Sequence, residues 1–252
     1  MSTWAIVTGA SGGLGRAYAR YLASTGLDVG LVARSEAPMT RLAGELTERF
    51  GVNARVWTSD LTRDADRRQL IDDLTQLDVD TLVNNAGYGL LGDVAELDPT
   101  RQSNMIVLNC VALTELTQAV LPALITRRQG TIINIASTAA FQAIPTMAAY
   151  AASKAFVLRF TEGLWSEVQG TGVRTIAVCP GPTDTAFFEA AGDDAVMTRR
   201  RTPEQVVQTT FAALKANRPY VVDGAANAFL AMAARLAPTR LALRLARQTV
   251  SH

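Results

Sequence analysis

The sequence predicts a doubly wound α/β domain: a seven-stranded, mostly parallel sheet with helices on both faces. Three observations carry that expectation. Seven short runs rich in Val and Ile alternate with longer helical patterns. The runs are apolar on both faces, as strands covered from both sides must be. A glycine-rich turn closes the first run and opens the first helix, and strict β-α alternation implies right-handed crossovers in one parallel sheet.

In chain order, Trp4–Thr8 is followed by a helical pattern over Leu14–Thr25, and Asp28–Ala33 by Met39–Phe50. Ala54–Thr58 leads to Ala65–Gln76, and Thr81–Asn84 to the long pattern Pro99–Arg127. Thr131–Ala136 precedes Met147–Gln169, and Val173–Cys179 ends at Pro180-Gly181-Pro182. The stretch 182–201 has no clear period, so it reads as a substrate loop beside the crevice at the strands' carboxyl ends. Pro203–Ala216 and the short run Tyr220–Val222 complete the pattern, and a helical tail covers 225–252. No repeat, low-complexity tract or linker divides the 252 residues, which read as a single domain.

Composition removes several chemistries. Apolar residues make up 48% and charged ones 19%, enough for a sizeable core and against global disorder. The net charge of +1 offers nucleic acid no basic footprint. His252, the single histidine, is the last residue, which argues against Ser-His-Asp hydrolysis and His-ligated zinc. Cys110 and Cys179 are too few for a tetrathiolate site and read as buried, reduced thiols, so no metal is expected. No export signal is apparent and no 18-residue apolar run is free of charge, so the expected location is the cytoplasm.

The turn Thr8-Gly9-Ala10-Ser11-Gly12-Gly13-Leu14-Gly15 lies between strand and helix. Its glycines permit positive φ and close backbone approach, and the helix N-terminus adds free N–H groups for a pyrophosphate. The spacing T-G-x-x-x-G-x-G is neither a Walker loop nor G-x-G-x-x-G. An NAD site offers the ribose a carboxylate at the end of the second strand, but here stand Ala33 and Arg34. Arg34 suits a 2′-phosphate, so NADP(H) is expected over NAD(H), with Glu36 as the alternative ribose partner.

Only two lysines occur, and Lys154 follows Tyr150 by four residues, on the same helical face. A phenol titrates near pH 10 and is a poor base at neutrality; a neighbouring ammonium favours phenolate. Such a pair can exchange a proton with an alcohol or carbonyl oxygen during hydride transfer. Ser137, just past the fifth strand, is placed to hydrogen-bond that oxygen, with Thr138 beside it.

These residues together resemble the short-chain dehydrogenase/reductase family, over nearly the whole chain. The cofactor turn Thr8–Gly15, with Gly9, Ser11, Gly13, Leu14 and Gly15, is similar to the family's, as are Asp60-Leu61 after the third strand and Asn84-Asn85-Ala86-Gly87 at the end of the fourth. Asn109, Ser137, Tyr150 and Lys154 fall where the family keeps its catalytic four, and Pro180-Gly181 with Thr183 where it contacts the nicotinamide end. The resemblance implies a Rossmann fold, with Tyr150 as general acid/base and Ser137 steadying the substrate oxygen. It makes Lys154 a ligand of the nicotinamide ribose that lowers the tyrosine pKa, and Asn109 the holder of a proton-path water. A residue satisfying helix backbone is the plainer reading of Asn109. The basic residue that some NADP-dependent members carry inside the glycine turn is replaced by Gly12, leaving the 2′-phosphate to Arg34. The resemblance also implies a homodimer or homotetramer built through the fourth and fifth helices.

Tyr88, Leu90, Leu91, Ala139, Phe141, Ile144, Met147, Phe187 and Phe188 surround the expected site. They favour an apolar ketone, aldehyde or secondary alcohol, though about half should be plain core. Arg199-Arg200-Arg201 reads as a solvated run before Pro203. Ala225–Leu236 is largely apolar, and beyond Pro238 the residues Arg240, Arg244 and Arg247 recur on one face with Leu241 and Leu245 beside them. Capping the pocket or packing on another subunit is favoured for this tail over an anionic membrane surface. Two rival readings stay open: a dinucleotide-sensing protein without turnover, and a peripheral membrane reductase anchored by the tail.

Overall fold

The structure, a computed structural model, describes residues 3–183, 201–236, 238, 240 and 243. Its strands are β1 (Trp4–Thr8), β2 (Asp28–Ala33), β3 (Ala54–Thr58), β4 (Val79–Asn84), β5 (Gly130–Ile135), β6 (Val173–Cys179) and β7 (Tyr220–Val222). They form one sheet in the order β3-β2-β1-β4-β5-β6-β7. Every neighbouring pair is parallel, so no antiparallel edge is present. The order reverses between β1 and β4, and that switch opens a crevice at the strands' carboxyl ends.

Alternation along β1 shows how the sheet is buried. Ala5 and Val7 face a core shared with α1 (Gly13–Ser24), α2 (Glu36–Phe50) and α7 (Pro203–Lys215). Ile6 points to the opposite core, filled by α3 (Asp64–Thr75), α5 (Leu113–Arg127) and α6 (Ala148–Glu167). Two polar links cross these layers. Tyr18 Oη and Thr210 Oγ1 lie 2.6 Å apart between α1 and α7. Asn84 donates to Asn134 Oδ1 (2.9 Å) across β4 and β5, and Asn134 Nδ2 donates to Thr161 Oγ1 of α6 (2.9 Å). A buried amide chain of this kind fixes strand register because a slip would orphan each member.

The helices depart from their sequence patterns in instructive ways. α2 begins at Glu36 rather than Met39, because its exposed first turn carries no apolar periodicity, and Pro38 is tolerated that early. The long pattern Pro99–Arg127 is not one regular helix: α4 (Pro99–Ile106) passes into a π-helical turn, Val107–Ala112, before α5. By length and composition this run could cross a membrane. Here Leu116, Val120 and Leu124 pack on the sheet. The last described helix, α8 (Ala225–Leu236), stops before Pro238 as its composition predicts.

Candidate active site

The glycine turn is locked where β1 meets β4. Gly9 and Gly13 have φ of +67° and +49°, in the left-handed region where a side chain is strained. Asn85 Nδ2 donates to Thr8 O (2.9 Å) and Gly9 O (3.2 Å), and a Cβ on Gly9 would come 2.7 Å from that nitrogen. A Cβ on Gly15 would strike Gly9 O. Thr8 Oγ1 accepts the N–H groups of Asn85 (3.0 Å) and Ala86 (2.9 Å) and donates to Val83 O (3.3 Å). Helix α1 then opens at Gly12 with neither a side-chain cap nor an acidic residue in its first turn. Its leading amides are thus available to an anion, and a dinucleotide pyrophosphate fits this cradle. Arg16 Nη2 donates to Ser11 O (3.1 Å), so a basic group does reach the turn, from one residue past Gly15.

Arg34, Asp60 and Leu61 lie at the ends of β2 and β3. Asp60 Oδ1 accepts Thr62 N (3.1 Å) and Thr62 Oγ1 (2.8 Å), closing the loop. Leu61 is buried, and its carbonyl accepts Arg67 Nη1 (3.2 Å), while Arg67 Nε pairs with Glu115 at 2.6 Å. The exposed Arg34 and half-buried Asp60 both act on the Tyr88 phenol: burial raises its pKa first, Arg101 and Arg34 lower it, and Asp60 raises it.

Ser137 caps the short 3-10 turn Thr138–Phe141, its Oγ accepting Ala139 N at 3.1 Å. The same hydroxyl is hydrogen-bonded with the Tyr150 phenol. Tyr150 and Lys154 are buried on one face of α6, with Nζ 5.9 Å from the ring centroid and donating to Ile135 O at 2.9 Å. Asn109, in the π-helical turn, donates to Tyr88 O (3.1 Å) and Ser153 Oγ (3.0 Å) and accepts Tyr88 N (3.2 Å). It thus holds the loop backbone at Tyr88 and the Ser153 side chain, rather than helix backbone. Gly87 completes the arrangement, since a Cβ there would lie 2.8 Å from Asn109 Oδ1 and 3.4 Å from Lys154 Nζ. Ser153, which joins Asn109 to Tyr150 O (2.7 Å), carried no signal in the sequence.

Electrostatics correct one expectation. Burial pushes the Tyr150 phenol up to about 12, with the Ser137 hydrogen bond pulling the other way. A lysine one turn along does not bring it down; desolvation is the larger effect. Burial also lowers Lys154 to about 8, opposed weakly by Cys110 and Cys179. Both thiols are pushed up by burial and stay protonated. A stability signature follows. From about pH 8 the folded chain has released the Lys154 proton, whereas the unfolded chain keeps it to 10.5. The unfolded state then binds more protons, so stability rises with pH through that window, by up to roughly 3 kcal/mol. Lys154→Met should abolish the rise in urea unfolding measured on either side of it. Above pH 10 Tyr150 acts in the opposite sense, holding its proton after unfolded tyrosines have lost theirs.

Beyond β6, Pro180 O accepts Thr138 N (2.9 Å), joining the Pro180-Gly181 segment to the turn after Ser137. Gly181 has no room for a Cβ because the Asn227 amide lies against it. The buried Thr183 donates through Oγ1 to Gly181 O (3.1 Å) and bridges to Arg201, whose N–H donates to Pro182 O (3.0 Å). Arg201 is no solvated charge: its Nε pairs with Asp223 Oδ2 at 2.6 Å, and Asp223 is 1% exposed. Asp223 Oδ1 also accepts Thr209 Oγ1 at 2.7 Å. A lone acid directly after the apolar β7 run is the sequence sign of a buried charge that needs a partner. Phe187, Phe188, Arg199 and Arg200 lie outside the described residues. On the substrate side, Tyr150 packs with Leu90, Met105 and Ala139, and with half-buried Tyr88, Ile144 and Met147. Phe141 turns away to Tyr220, 5.9 Å between ring centroids.

A parallel sheet with a glycine cradle at its switch point and a Ser-Tyr-Lys group beside it defines an α/β domain of the dinucleotide-binding type. The chain belongs to the short-chain dehydrogenase family, whose model (short chain dehydrogenase) matches residues 3–195. It is 37% identical over 189 residues to a very-long-chain 3-oxoacyl-CoA reductase of Anas platyrhynchos, covering 71% of this chain and 59% of that one. With sulfoacetaldehyde reductase 2 of Chromohalobacter salexigens it shares 40% identity over 201 residues, 77% of this chain and 79% of the relative. A short-chain dehydrogenase from Sphingobium yanoikuyae in complex with NADPH superimposes with a TM-score of 0.85 at 31% identity, covering 92% of each chain. The chain spans about three fifths of the length of the 3-oxoacyl-CoA reductases it matches.

Proposed function

We propose an NADP(H)-dependent reductase or dehydrogenase acting on an apolar ketone, aldehyde or secondary alcohol, with Tyr150 as general acid/base. The observation that carries this reading is the buried Tyr150 phenol, hydrogen-bonded with Ser137 and packed in an apolar cluster with Leu90, Met105, Ala139, Tyr88, Ile144 and Met147. The NADPH complex of the Sphingobium relative and the acyl substrate in the name of the Anas relative support it. Sulfoacetaldehyde, in the name of the Chromohalobacter relative, is small and anionic, so that substrate is the rival to test.

A bound nicotinamide dinucleotide would supply or accept the hydride. The chain's own residues do the rest. The α1 amides and Arg16 receive the pyrophosphate end, and Arg34 the 2′-phosphate. In reduction the Tyr150 O–H passes its proton to the carbonyl oxygen as that oxygen gains charge, while Ser137 holds it by a second hydrogen bond. Lys154 orients the ribose. Asn109 keeps Tyr88 and the α6 backbone in place around it. Homo-oligomerisation through α4 and α5 belongs to the same reading, supported by the exposed apolar side chains of Ile106 and Val111.

The test is a panel of apolar ketones and sulfoacetaldehyde, offered with NADPH and with NADH and followed by cofactor absorbance. Turnover of apolar ketones with NADPH is expected; activity confined to sulfoacetaldehyde would overturn the substrate class. Arg34→Ala should weaken NADPH far more than NADH, by about 1.5–3 kcal/mol for one charge-assisted contact. Equal weakening would transfer the role to Glu36 or Arg16.

A further inference from the structure

Helix α8 is built inside out. Its buried residue is the small Ala231, whereas Phe229, Leu230, Met232 and Leu236 are 74%, 64%, 54% and 76% exposed. At 100° per residue Phe229, Ala233 and Leu236 share one line, with Leu230 and Met232 on its flanks. A contiguous apolar stripe of this kind marks a surface that docks on something.

The charge beside the stripe says what it meets. From Ala225 to His252 there are four arginines, Arg235, Arg240, Arg244 and Arg247, and no Asp or Glu. The whole chain has 24 basic and 23 acidic residues, so without those four the remainder is net negative. Positive charge is thus segregated into this stretch of the sequence, with Arg235 in the apolar helix itself. Between α8 and the edge strand β7 runs a cleft of about 350 Å³, its wall including Phe141, Tyr220, Val222, Met232, Arg218 and Arg235. Neither of these arginines has an ion-pair partner among the described residues. A second copy of this face would bring arginine against arginine with no acid in α8 to answer it.

We propose that α8 and the adjoining cleft dock on an anionic lipid bilayer. The stripe enters the boundary between headgroups and acyl chains, and Arg218, Arg235 and Arg240 meet lipid phosphates. Docking has a catalytic consequence, which rests on the reading given under Proposed function. α8 packs against Thr138–Phe141, the turn that follows Ser137, and Asn227 lies against Gly181. The docked face therefore adjoins the reacting centre, and an apolar carbonyl dissolved in the bilayer has a short path to Tyr150.

The full chain is sedimented with vesicles of phosphatidylcholine alone and of phosphatidylcholine with phosphatidylglycerol. It should pellet with the anionic vesicles, far less with the neutral ones, and less again at high salt. Phe229→Ser with Leu236→Ser should abolish pelleting while leaving circular dichroism and Tm unchanged. Arg235→Gln with Arg240→Gln should cut partitioning by about fivefold per charge. Tyr150→Phe should pellet like the parent, which separates docking from turnover. Failure of the intact chain to pellet with anionic vesicles, or undiminished pelleting of the double serine variant, overturns the proposal. So does a solution dimer, seen by light scattering, that the double serine variant dissolves; the face would then join two copies of the chain.

Discussion

Tyr150→Phe is expected to lower kcat on an apolar ketone by on the order of 10²–10⁴, the usual worth of a positioned general acid. Cofactor affinity, read by NADPH fluorescence titration, should change by no more than a few-fold. The variant keeps the ring in the cluster of Leu90, Met105 and Ala139 and removes only the hydroxyl bonded with Ser137. Packing loss is therefore minimal, and the fall in rate reports the proton. Direction matters as well. With the phenol pushed up to about 12 by burial, Tyr150 is an acid in waiting at neutral pH, suited to reduction without any prior ionisation. Oxidation of an alcohol needs the phenolate, so its rate should climb with pH over the range where reduction is flat. Near-parental kcat in Tyr150→Phe would remove this residue from the mechanism, and a falling oxidation rate at high pH would remove its role as base.

The comparison between sequence and structure turns on what kind of signal each feature leaves. Strands covered by helices must be apolar along both faces, so the central β1, β2, β4, β5 and β6 stood out as Val- and Ile-rich runs, and a glycine turn between strand and helix has few other uses. The Tyr150–Lys154 spacing likewise places two side chains on one helical face whatever surrounds them. Solvent exposure leaves no such mark. Arg201 and its neighbours formed a run that reads as solvated, yet Arg201 finds a partner in Asp223, just past β7 and 22 residues on. Whether Lys154 would lower Tyr150 depended on a balance between charge and desolvation that only packing decides. The π-helical turn around Asn109 was equally invisible, because one extra residue in a turn hardly disturbs a hydrophobic period. In α8 the composition was plain, but its outward-facing large side chains reverse the usual rule that apolar means inside.

The pair of half-exposed Arg201 with buried Asp223 should carry the largest effect on stability. Arg201→Met keeps the length of the stem and removes the charge, leaving an almost wholly buried carboxylate with only Thr209 Oγ1 to satisfy it. Removing one partner of a buried pair costs about 3–5 kcal/mol, because the remaining charge is stranded. At the 2–4 °C per kcal/mol typical of a domain this size, Tm should fall on the order of 10 °C. Asp223→Leu in the same chain takes away the stranded charge, so the double variant should recover much of the loss; buried pairs replaced by apolar groups are often near neutral. Activity should not recover with it. The Arg201 backbone still bridges Thr183 and Pro182, but the guanidinium no longer ties that bridge to β7 and α7, and Gly181 loses its fixed place beside Asn227. Calorimetry and kcat/KM on the two variants separate these outcomes. If the double variant is as unstable as Arg201→Met, the pair is not what holds this end of the sheet; if it regains full kcat/KM, the link between the pair and the Pro180-Gly181 segment has no catalytic weight.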